Sequence, residues 1–89
     1  MKAFYVRNMG HDMQDAFKGA QKIAKLLAGP DASIADKTSV IEVQAPDDMK
    51  PAVYAEHLVR SLNPMFSTPE SPAGAIALDK PEWLFFGWA

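Results

Sequence analysis

The last eight residues, EWLFFGWA, constrain the fold more than any other stretch of this chain. In an extended segment, alternate side chains point to opposite sides. Trp83, Phe85 and Gly87 therefore fall on one face, and Leu84, Phe86 and Trp88 on the other. Both faces carry large apolar groups. A strand of this kind needs cover on two sides, whereas a chain end is ordinarily the least apolar part of a domain.

Little material is available to supply that cover. Eighty-nine residues make one domain, and a chain of this size buries only about two-thirds of the surface exposed when it is unfolded. Hydrophobic residues make up 48% of the chain and charged ones 22%, an ordinary globular composition that argues against wholesale disorder. The chain contains no cysteine. Small secreted domains often compensate for a thin core with disulfides, so this points to a reducing compartment. The opening MKAFYVRNMG has no apolar core of signal-peptide length, and no apolar run reaches the span of a membrane. The expectation is a soluble, cytoplasmic protein with no membrane partner.

Five further segments carry patterns. Residues 2–8, KAFYVRN, read as a strand with Phe4 and Val6 on one face, ended by Met9-Gly10. From residue 12, Met13, Ala16, Phe17, Ala20, Ile23, Ala24 and Leu27 recur at helical spacing, opposite Lys18, Lys22 and Lys25. Asp12 is placed to cap this helix, with Asp15 three residues on, and Gly29-Pro30 ends it. Gly19, on the flank of the apolar stripe, marks either a close approach by another element or an uncorrected surface glycine. Ser33-Ile34 is a candidate short edge strand. TSVIEVQA at 38–45 reads as a strand with Ile41 and Val43 inward.

A second helix is expected from Pro51, whose fixed φ suits a first turn, with Ala55, Leu58, Val59 and Leu62 buried and Tyr54 at the margin. Residues 63–74 follow as a long connection carrying Pro64, Pro69 and Pro72, with Met65 and Phe66 as its apolar members. AGAIAL, a DKPE turn and the aromatic strand complete the chain.

The order β-α-β-α-β-β predicts an α+β fold: a two-layer sandwich in which a four-stranded mixed sheet carries both helices on one face. The alternative is a ferredoxin-like βαββαβ order, which needs Ser33-Ile34 as a strand and the last two segments as one bent strand.

Chemistry leaves few marks on the sequence. The net charge is −2 and the nine basic residues are spread along the chain, so nucleic acid is not an expected partner. His11 and His57 lack further ligands at metal spacing, and neither a metal nor a cofactor is expected. The turn around Gly10 precedes a helix, but Asp12 and Asp15 occupy its positive end. Asp47 and Asp48 are read as dipole-favoured acids before the second helix. No serine stands in a nucleophile elbow.

With both helices assigned to one face, Leu84, Phe86 and Trp88 are left uncovered within the chain. Exposed aromatic patches mark protein contacts. The expected function is therefore a protein-interaction module, homodimeric by default, using Trp83, Leu84, Phe86 and Trp88 with Met65 and Phe66 beside them, or an accessory protein docking on a larger assembly. The loop of Met65 and Phe66 folding back as a lid would cover the same face. The rival reading is a dimeric α+β-barrel-like enzyme or small-ligand binder whose pocket lies between sheet and helices, with Tyr5, His11 and Tyr54 as its polar groups.

Overall fold

The computed structural model describes residues 3–27, 34–35, 37–61, 71–79 and 81–88. Six elements follow one another: β1 (Ala3–Met9), α1 (Met13–Leu27), β2 (Val40–Glu42), α2 (Pro51–Arg60), β3 (Ala73–Ala77) and β4 (Glu82–Trp88). The α+β class, the four-stranded mixed sheet, the two helices and their order are those the sequence predicts. The strand order is β1-β4-β3-β2. β4 pairs antiparallel with both β1 and β3, and β3 pairs parallel with β2, so β1, β2 and β3 all run one way.

The helices, however, do not share a face. Ala16, Phe17 and Ala20 of α1 pack with Phe4, Ala73, Ala75 and Phe85. Ala55, Leu58 and Val59 of α2 pack with Ile76, Leu84 and Phe86, the opposite side chains of the same strands. Crossover direction gives the reason. β1-α1-β2 crosses the whole sheet one way, and β2-α2-β3 steps back by one position. Two crossovers of one hand that run in opposite directions must use opposite faces. The expectation of an uncovered aromatic face is corrected accordingly, because α2 covers it.

Both faces of β4 are thereby buried. Phe85 and Phe86 are fully buried, and Leu84 is 3% exposed. Trp83 packs against the α1 cluster and Trp88 against the α2 cluster. The Trp88 indole Nε1 donates to the Val59 carbonyl at 3.1 Å. That carbonyl lies in the last turn of α2, where backbone acceptors have no intrahelical partner. Trp88→Phe keeps an aromatic ring but loses the donor and part of the indole's volume, so it should cost at least about 1 kcal/mol, read as a lower urea midpoint at unchanged slope.

Local signals explain the helix ends. The Asp12 carboxylate accepts from the Asp15 N–H at 2.8 Å, and the Asp15 carboxylate accepts from the His11 N–H at 3.0 Å. The first bond is the N-cap contact that the Asp12/Asp15 spacing predicts, while the second reaches His11, one residue before the N-cap N–H that a capping box engages. α2 begins at Pro51 as expected, but Asp47 and Asp48 lie in the preceding turn, and its first turn holds no acid. Gly19 marks a close approach: a Cβ there would stand 2.7 Å from the Asn8 amide nitrogen, which itself donates to the Ala16 carbonyl at 3.0 Å.

Other expectations are revised. Ile34 belongs to a short 3₁₀ turn and is fully buried in the α1 cluster, not an edge strand. The ferredoxin-like alternative is not realised, since β3 and β4 are separate antiparallel strands. Ile23 is 47% exposed and Ile41 37% exposed, although their spacing places both inward, and neither joins a core cluster. Half-buried Val40 packs in the α1 cluster. Leu62, Met65 and Phe66 lie outside the described residues.

Candidate functional site

Two regions of the surface gather polar groups. The first is a crevice of about 290 Å³ at the carboxyl ends of the parallel strands, lined by Gly10, His11, Glu42, Leu78, Glu82 and Trp83 among others. Ligands of open α/β sheets bind in this position. Here its wall holds an exposed imidazole, two carboxylates and the edge of an indole. Among the described residues, no three metal-ligating side chains converge, and every buried side-chain polar atom has a hydrogen-bond partner.

The second region runs along β1. This strand ends the sheet on one side, as β2 does on the other. The register fixes which of its backbone groups are unpaired among the described residues. The Gly10 N–H donates to the Pro81 carbonyl at 3.1 Å, continuing the Met9↔Glu82 pairing by one step. Bonding alternates along an antiparallel pair, so Gly10, Asn8, Val6 and Phe4 turn their backbone groups to β4. On the other side of β4, the Leu78 N–H donates to the Glu82 carbonyl, in phase with this alternation. Ala3, Tyr5, Arg7 and Met9 therefore direct N–H and C=O outward, away from the sheet.

The side chains of these residues lie on the α2 face. Tyr5 and Arg7 line a shallow groove of about 260 Å³ with Ala52, Glu56 and Leu84. Glu56 is paired with Arg60 at 2.8 Å, one helical turn away. No hydrogen bond or ion pair engages the Arg7 guanidinium among the described residues. The Tyr5 phenol is held above its ordinary pKa of 10.0, first by partial burial and then by the Glu56 charge, with Arg60 opposing both.

Ionisation of Tyr5 should consequently disfavour the folded state. The unfolded chain loses the phenolic proton first, so this contribution to stability is complete below pH 10 and fades as pH rises through the higher folded value. Absorbance titration of a Tyr54→Phe variant should show the Tyr5 midpoint above 10, moving down when Glu56→Gln is added.

The residues predicted for a pocket are thus dispersed. Tyr5 lies in the α2-side groove and His11 in the carboxyl-end crevice, while Tyr54 is half-buried against the α2 cluster. Leu84 and Phe86, predicted for an interface, are core. Sequence reasoning passed over Arg7 and Glu56, since nothing local marks β1 as an edge. It also passed over Lys37, which is 6% exposed, donates to the Ser71 carbonyl at 2.7 Å and stands 5.9 Å from the Phe4 ring centroid.

Fold and site together define an α+β protein with a mixed sheet and an open edge strand. No family model, no curated protein and no solved structure matches this chain.

Proposed function

We propose that this chain is a protein-interaction module that binds an extended segment of a partner along the free edge of β1. The observation that carries this reading is the row of outward backbone groups at Tyr5, Arg7 and Met9. Folded proteins usually blunt such edges with short strands, proline, bulges or clustered charge. β2 follows that practice with three residues. β1 does not: its seven residues hold no proline, no glycine and a single charge. Tyr5, 37% exposed, and Met9, 64% exposed, offer apolar contact beside the free backbone. An added strand draws affinity from the main chain and selectivity from alternate side chains.

The test is selection of extended heptapeptides from a displayed library on the purified protein, followed by amide exchange. Binders are expected to slow exchange at Tyr5, Arg7 and Met9 and to lose their grip on Arg7→Pro, which removes an outward N–H and leaves the bonds to β4 intact. Failure to select any binder, or binders that protect the crevice around His11 instead, would overturn the edge reading. The second of those results would favour the small-ligand alternative.

A further inference from the structure

We infer that the strand completing the β1 edge is β1 of a second copy, paired antiparallel about a two-fold axis at Val6, with Arg7 of each copy reaching Glu56 of the other. This inference rests on the edge reading above and adds the partner.

The register follows from elimination. Hydrogen bonding requires the outward residues Ala3, Tyr5, Arg7 and Met9 to face outward residues of the other strand. Centring on Arg7 sets guanidinium against guanidinium, and like charges directly opposite destabilise a pair. Centring on Tyr5 leaves Asn8 and Met9 without partners. Centring on Val6 uses all seven residues of β1, sets Tyr5 across from Arg7 twice and joins Ala3 to Met9.

Charge complementarity selects the same arrangement. Directly opposed residues share a face, so the Tyr5–Arg7 pairs lie on the α2 side, where Tyr5, Arg7 and Glu56 already line one groove. Arg7, without an ion-pair partner among the described residues, then enters the groove of the other copy beside Tyr5 and Glu56. Glu56 uses Oε1 toward Arg60, and among the described residues no ion pair engages its Oε2. The two grooves merge across the axis, and the sheets of the two copies become one.

The experiment is light scattering after gel filtration of the full chain over a wide concentration range, with Arg7→Glu, Glu56→Arg and the two combined. A dimer is expected, weakened roughly tenfold or more by either single change and restored by the combination. Val6→Cys gives the cysteine-free chain a lone thiol placed on the axis, and mild oxidation should yield a covalent dimer far faster than with Met9→Cys. A monomer at every concentration would overturn the second-copy partner and leave the edge reading to its peptide test. A dimer indifferent to these charge changes and to Arg7→Pro would place self-association elsewhere, overturning the second-copy partner at β1 and again leaving the edge reading to its peptide test.

Discussion

Phe86→Ala should cost about 3–5 kcal/mol, the range for truncating a buried phenylalanine, and leave a substantial fraction of the chain unfolded without denaturant. Phe86 is fully buried and stands at the centre of the α2 cluster with Ala55, Leu58, Val59, Ile76 and Leu84. A domain of this size has only about 5–15 kcal/mol of total stability to lose, and small ones sit at the lower end. Far-ultraviolet circular dichroism through a urea titration would read the loss. A variant whose midpoint stayed near the parent's would show that α2 does not depend on this ring. Phe86→Leu, which keeps much of the volume, should lose clearly less.

Gly74→Val should also be damaging, for the opposite reason. Gly74 faces Phe86 across β3 and β4, and the Phe86 ring lies over the bare Cα, so that any Cβ would enter the ring. Overfilling a packed core costs about 1–3 kcal/mol, and β-branching leaves no rotamer that evades the contact. The two sites should be strongly coupled. Gly74→Val made in the Phe86→Ala background should cost much less than in the parent, because the truncated ring leaves room for the new methyls. Additive losses in denaturant melts would show that the ring yields to a Cβ without strain.

The aromatic tail was readable as a strand with two apolar faces, and the structure buries both within the chain. Cover for the Leu84, Phe86 and Trp88 face was the point at issue. It depends on where α2 lies, and α2 is a ten-residue helix whose own pattern says only that Ala55, Leu58 and Val59 face something apolar. Periodicity records which side of an element is buried and carries no information about what lies opposite. The proposed interaction surface differs from the expected one for the same reason: Leu84 and Phe86 are core, and β1, whose Phe4 is fully buried, ends the sheet with an edge unpaired among the described residues.

The sequence by itself determined the six elements and their order, the Asp12–Asp15 cap of α1, the start of α2 at Pro51 and the two-sided apolar character of β4. These depend on spacings of two to four residues, set by backbone geometry alone. Only the tertiary structure decided that β4 inserts between β1 and β3, that the two crossovers use opposite faces and that β1 ends as an edge. Each of these depends on pairings between segments far apart in the chain, such as Ala3 with Trp88. Such pairings are selected by whichever arrangement buries both faces of β4 at once.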